Sequence, residues 1–358
     1  MMNTSPNNTI NSGLLPPRMR YFDIARGIAM ICIILGHLSI RGINRVVFTF
    51  HVPIFFLISG YFINAQSSFF DFVKKKLHTL IVPYYVTCLA IIVFSVVLNK
   101  LIFHGGSSKQ IAMGWLWASL YGAGDNYTEP FQVKAIGAIW FLWATFWASL
   151  FLRLTLRLKP GHRLFTVIVL FAIGYWSRKL FWFPLSIQAG CCATAYMYLG
   201  YLCRLALPRL RELPMEVKAV WTVISLLVWF SFIHDFRSFW LVHCDFGRGV
   251  IDFFGSLCAC YAIILLSHWI EKSAPTFITH SLSYIGKYSL FILCAHIVEL
   301  NLFHWILLFN RITACGYSSA LAYAVIIVCK LLWAVGLTIL CSKWKLIRRL
   351  FGMQPNII

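Results

Sequence analysis

Residues 21–39, YFDIARGIAMICIILGHLS, decide the fold. The run is about as long as one membrane crossing, since a helix needs roughly 20 residues to span a hydrocarbon core of about 30 Å. Three ionisable residues interrupt it: Asp23, Arg26 and His37. On insertion scales such a residue inside a span costs about 2.5 to 3.5 kcal/mol, so each needs a partner or a task. Ten residues separate Arg26 from His37. As a helix, that spacing falls within about 20° of whole turns, so the two share a face, with the histidine about 16 Å further along the axis. Asp23, three residues before Arg26, is placed to pair with it. The plainer alternative is that Arg26 anchors the interface and His37 is a satisfied core histidine.

The rest of the chain repeats the apolar theme. Of 358 residues 60% are hydrophobic, 17% aromatic and only 12% charged, with a mean hydropathy of +0.78. That composition excludes a soluble pair of domains. Apolar runs bounded by charges and turn residues predict an all-α polytopic membrane protein of about ten transmembrane helices. Their approximate bounds are 21–39, 46–63, 80–98, 135–152, 164–177, 188–207, 219–233, 250–270, 289–309 and 319–341. A weaker run at 111–122 reads as an interfacial or re-entrant helix.

The net charge of +20 would suggest nucleic acid in a soluble chain; here it sorts by loop, and no nucleic-acid partner is expected. With both termini cytoplasmic, twenty Lys and Arg fall on the inner side, ten on the outer side, and Lys330 inside a span. This follows the rule that basic residues collect in the cytoplasm. Residues 1–20 read as a disordered cytoplasmic tail, 21–341 as the transmembrane domain and 342–358 as a basic cytoplasmic tail. Most of the twelve cysteines lie in apolar runs and read as small buried hydrophobes. Cys244 and Cys315, in outer loops, could pair or stay free. Cys258 and Cys260 lack zinc-site spacing, and no metal is expected.

The second expected span opens with Phe50-His51-Val52-Pro53-Ile54-Phe55-Phe56 and continues through Ile58-Ser59-Gly60. A short connection puts His51 at a depth similar to that of His37, so two histidines flank one outer-half cavity. Pro53 frees backbone groups, while Ser59 and Gly60 permit close packing. Late in the chain His296 and Glu299 share a span, and Glu299 and Lys330 fall at equal depth on neighbouring helices, which predicts a structural ion pair.

These blocks resemble one family. The Asp23, Arg26 and His37 set, the 50–60 block, Lys74-Lys75-Lys76 before Ile81-Val82-Pro83-Tyr84, Trp140-Phe141-Leu142, and Gly286-Lys287-Tyr288-Ser289-Leu290 with His296 look like the integral-membrane acyltransferase 3 family. The first two blocks are most similar to the fucose 4-O-acetylase type. The resemblance implies transfer of an acyl group, usually acetyl, from cytoplasmic acetyl-CoA to a hydroxyl of a surface or lipid-linked glycan such as an O-antigen, in the inner membrane of a bacterium. It makes Arg26 and His37 the functional pair and requires no permanently bound cofactor. His37 would act as the base or carry the acyl group itself. Arg26 and the three lysines would serve the anionic donor; Asp23, His51, Ser59 and His296 would support them. A glycan transporter or flippase is the competing class. It would be expected to show repeated halves, and the Asp-Arg-His block has no second copy.

Overall fold

The computed structural model describes residues 19–103, 107–129 and 131–353. Most of the expected N-terminal tail, up to residue 18, lies outside them. The chain enters through α1 (Arg20–Gly36), turns into the short α2 (Arg41–Val47) and α3 (Pro53–Tyr61), and then rises through α4 (Phe69–Lys76), a π-turn and α5 (Val82–Leu98). After α6 (Ser108–Tyr121) a long loop leads to α7 (Trp140–Thr155), α8 (Pro160–Ser177), α9 (Ile187–Glu212) and α10 (Met215–His234). A second long loop precedes α11 (Val250–Ser273), α12 (Thr276–Lys287), α13 (Ser289–Leu302), α14 (Trp305–Ala314), α15 (Ser319–Cys341) and α16 (Lys345–Leu350). Among the described residues there is no sheet, only two isolated bridges, Tyr127 with Val133 and Trp240 with Asp245.

Glycine sets two of the closest helix crossings. Where α1 meets α12, a Cβ on Gly27 would strike the Leu282 carbonyl, and one on Gly286 would strike the Asp23 carbonyl. Where α3 meets α9, Gly60 and Gly200 lie in the same way against Met197 and Leu57. In lipid, apolar burial gives helices little reason to associate, so close backbone approach through small residues supplies the packing. Around these crossings α1, α5, α7 and α13 share one core containing Met30, Ile34, Tyr84 and Ile292. α7 and α9 build a second core around Phe56, Tyr196 and Met197.

By length and composition four helical stretches can cross a membrane: Phe69–Leu101, Met215–His234, Val250–Ser273 and Ser319–Cys341. The pair α12 and α13, bent by 73°, makes a fifth if taken as one span. Several expected spans therefore take a different form. The run 46–63 is α2, a turn and the nine-residue α3. At 1.5 Å per residue α3 is about 14 Å long, too short to cross alone. Pro53 lacks the N–H that would continue a helix from α2 and instead occupies the first turn of a new one. The run 289–309 breaks at Phe303 and His304 between α13 and α14. The run 111–122 is α6, capped by Gly122 at φ 69°. The expected C-terminal tail contains α16, and Phe351 packs on Phe291 with ring centroids 4.8 Å apart. All twelve cysteines are unbridged. Cys244 is buried and Cys315 exposed.

Candidate active site

α1 carries Arg26 in its second turn and ends at Gly36, with His37 as its C-cap. Arg26 lies 3.9 Å from the Asp23 carboxylate and 5.9 Å from the Phe62 ring centroid. At the far end the His37 ring turns back on its own helix: Nδ1 donates to the Ile33 carbonyl at 2.8 Å. A carbonyl oxygen only accepts, so Nδ1 carries the proton in the neutral ring. The Nε2 lone pair is left unprotonated. His51 repeats the device in the turn before Pro53, donating from Nδ1 to the Val47 carbonyl at 2.6 Å. Two imidazoles are thus fixed in the same tautomer by the residue four positions earlier.

Both open into one cavity of about 920 Å³. Arg26 lines one end, with Met30, Ile33 and Ser59 along its wall. The other end is roofed by the loops after α6 and α10, which contribute Asp125, Arg237, Phe239 and Trp240, and by Asn301 of α13. The cavity volume suits a sizeable organic ligand. Three loop residues latch the roof: His243 Nε2 lies 2.9 Å from the Asp125 carboxylate and Nδ1 lies 3.1 Å from the Tyr127 hydroxyl. Burial pushes the Tyr127 phenol up, so it stays protonated and donates to His243. The Tyr127 ring stacks on Trp182 at 5.0 Å.

Behind His37 lies a buried polar array. His296 Nε2 is 3.4 Å from His37 Nδ1, and the rings meet edge to face with centroids 5.1 Å apart. His296 Nδ1 sits 2.9 Å from Glu299 Oε1, although its N–H does not point along that line. The contact is therefore chiefly electrostatic. Lys330 Nζ donates to the same oxygen at 2.8 Å and lies over the Trp305 ring at 4.8 Å. His296 and Glu299 are fully buried, and Lys330 is 1% exposed. The arrangement is a chain of contacts from Lys330 through Glu299 and His296 to His37, which itself opens to the cavity.

The structure therefore brings Arg26, His37, His51 and Ser59 to one cavity and sets His296, Glu299 and Lys330 behind it. It does not bring the three lysines there. Lys74, Lys75 and Lys76 form the last turn of α4 and do not line the cavity; Lys76 Nζ lies 5.7 Å from the Phe72 ring, close enough to Arg26 for the two charges to repel. The cavity also takes polar residues with no motif to mark them in the sequence, among them Arg41, Asn44 and Arg45 of α2. Their spacing, with Phe48 one turn on, is the i, i+3, i+4, i+7 pattern of one helix face. Only the fold shows this face, because α2 falls almost wholly between the apolar runs 21–39 and 46–63.

A helical protein with a histidine-lined cavity has the parts that group transfer needs, and comparison with known families names the class. The acyltransferase 3 family, described as an acyltransferase domain, matches residues 19–343. The chain belongs to that family and is an acyltransferase of multi-pass membrane character. Neither the curated proteins nor the solved structures give a match. Family membership does not favour a transporter or flippase.

Proposed function

We propose that the protein moves an acyl group, acetyl by default, from cytoplasmic acyl-CoA to a sugar hydroxyl of a surface or lipid-linked glycan, as a fucose 4-O-acetylase type of enzyme. It would do so in a bacterial plasma membrane, with about ten crossings and both termini in the cytoplasm. The short α3 and the bent α12 and α13 pair would then count as broken crossings around the cavity, where irregular backbone is tolerated. The observation that carries the reading is the tautomer of His37. With Nδ1 engaged, Nε2 is left as the basic nitrogen of a residue that lines the cavity, whose far wall, about 16 Å along α1, presents Arg26.

The chemistry follows from that placement. The acceptor hydroxyl attacks the thioester carbonyl carbon while His37 Nε2 takes the hydroxyl proton. The carbon–sulfur bond breaks, and the same nitrogen returns the proton to the leaving thiolate, giving the ester and free CoA. Arg26, oriented by Asp23, holds the donor at the inner end, and Lys74, Lys75 and Lys76 raise the local concentration of anionic CoA from outside the cavity. While His37 is protonated, its charge faces the lone pair of His296 Nε2, and Glu299 stabilises that arrangement through His296. His51 lies on the path of the acceptor, and Ser59 on the wall towards the donor.

The test is acyl transfer by the full chain in nanodiscs from radiolabelled acetyl-CoA, alongside NMR of the surface glycan from cells with and without the gene. His37→Ala and Arg26→Ala are expected to insert normally and lose transfer. Normal O-acetylation by inserted His37→Ala would sink the mechanism.

A further inference from the structure

Beyond the charge of the donor, the cavity has a charge pattern at its loop-roofed end that a neutral sugar would not require. Four arginines line it, Arg26, Arg41, Arg45 and Arg237, against a single carboxylate, Asp125. That carboxylate is engaged by His243. Arg26 belongs to the inner end with Asp23; the other three lie at the loop-roofed end.

They are held differently. Arg45 is an anchor. Its Nε and Nη2 donate to the Ile233 carbonyl at 3.2 and 2.9 Å, and Nη2 also donates to the His234 carbonyl. It ties α2 to the carbonyl end of α10, where a cation is favoured. Arg41 and Arg237 are exposed and pair with no carboxylate among the described residues. The nearest acid in sequence to Arg237, Asp235, is taken by His234 at 2.8 Å and Arg248 at 3.1 Å. Between Arg41 and Arg45 on the same face, Asn44 lines the cavity with its Oδ1 buried and without a hydrogen-bond donor. A buried acceptor in that condition calls for a donor from a bound molecule. Trp240, 42% exposed, adds an apolar ring face to the same wall.

We infer that the loop-roofed half of the cavity is an acceptor subsite for an acidic glycan, with Arg41 and Arg237 holding a carboxylate or phosphate on the acceptor, Asn44 Oδ1 accepting from one of its hydroxyls, and Trp240 covering a sugar face. The forked guanidinium matches either anion. The inference rests on the acyltransferase reading for its place in the reaction, but the subsite can be tested without turnover.

The full chain in nanodiscs of zwitterionic lipid is titrated by calorimetry with glucuronate, glucose 1-phosphate and glucose. The wild type is expected to bind at least one acidic sugar at least tenfold tighter than glucose, with the preference shrinking as salt rises. The better ligand of the two acidic sugars shows whether the anion is a carboxylate or a phosphate. Arg41→Gln with Arg237→Gln is expected to bring the acidic ligand to within about threefold of glucose, a loss of about 0.7 kcal/mol or more on the scale where tenfold is about 1.4 kcal/mol. Arg41→Lys with Arg237→Lys is expected to recover part of the preference. Equal binding of glucose and both acidic sugars, no binding of any, or a preference that survives the glutamine pair overturns the subsite. Acyl transfer to acidic and neutral oligosaccharides is run in parallel. Acidic binding without any transfer would reject the acyltransferase reading while keeping the subsite, and transfer that is indifferent to acceptor charge would do the reverse.

Discussion

Removal of the Glu299 carboxylate is the most informative perturbation of the buried array. At 2.8 Å and an effective dielectric of about 20, the attraction to Lys330 is about 6 kcal/mol before desolvation is counted. Both groups are buried, so much of that attraction offsets the cost of taking two charges out of water, and the pair adds little net stability over a well-packed apolar pair. Breaking it is another matter. Glu299→Gln would leave Lys330 with the Trp305 face at 4.8 Å, worth about 2 kcal/mol when desolvated. From a typical one-partner loss of about 3 to 5 kcal/mol, we expect Glu299→Gln to cost about 3 kcal/mol. Glu299→Gln with Lys330→Met should return to within about 1 kcal/mol of the wild type. The assay is reversible unfolding in graded mixtures of mild detergent and SDS, run on all four corners of the double-mutant cycle. A single variant as stable as the wild type, or a double variant as unstable as Glu299→Gln, would refute the reasoning. Transfer by the folded double variant separates the roles: a rate within about threefold of the wild type leaves the pair structural, whereas a loss beyond tenfold would make Glu299 a positioning residue for His37 through His296.

His51→Gln should lower transfer without changing the inserted amount; an unchanged rate would return His51 to a packing role. Gly286→Val should cost about 1 to 3 kcal/mol, as overpacking does, because its added carbons meet the Asp23 carbonyl. Gly161→Ala, with nothing within 4 Å, should be neutral or slightly stabilising in the same unfolding assay; equal losses at the two positions would remove the close-approach argument for α1 and α12.

The alignment of Arg26 with His37 was legible because it is a property of one helix: 3.6 residues per turn fixes it wherever the helix packs. The family blocks were legible for the same reason, each being a short local string. Depth arithmetic on two apolar runs also sufficed to set Glu299 opposite Lys330, since antiparallel neighbours of known length leave little freedom. The contact of His37 with His296 was not available that way. The two are 259 positions apart, and only the packing of α1 against α13 decides that their rings touch. The shape of the individual crossings was not legible either, also for a physical reason. Hydropathy reports whether a segment is apolar, and cannot report that Pro53 starts a new helix within an apolar run or that the chain bends by 73° between α12 and α13.

The sequence by itself therefore determined an all-helical membrane protein, its acyltransferase class and the residue pair on one face of its first helix. The tertiary structure decided which side chains share the cavity, that the three lysines of α4 do not line it, and that α2 lends it Arg41, Asn44 and Arg45. The physical reason is range: helical periodicity and apolar length act within a segment, while a cavity is the space left between segments, and its walls come from parts of the chain that no local pattern connects.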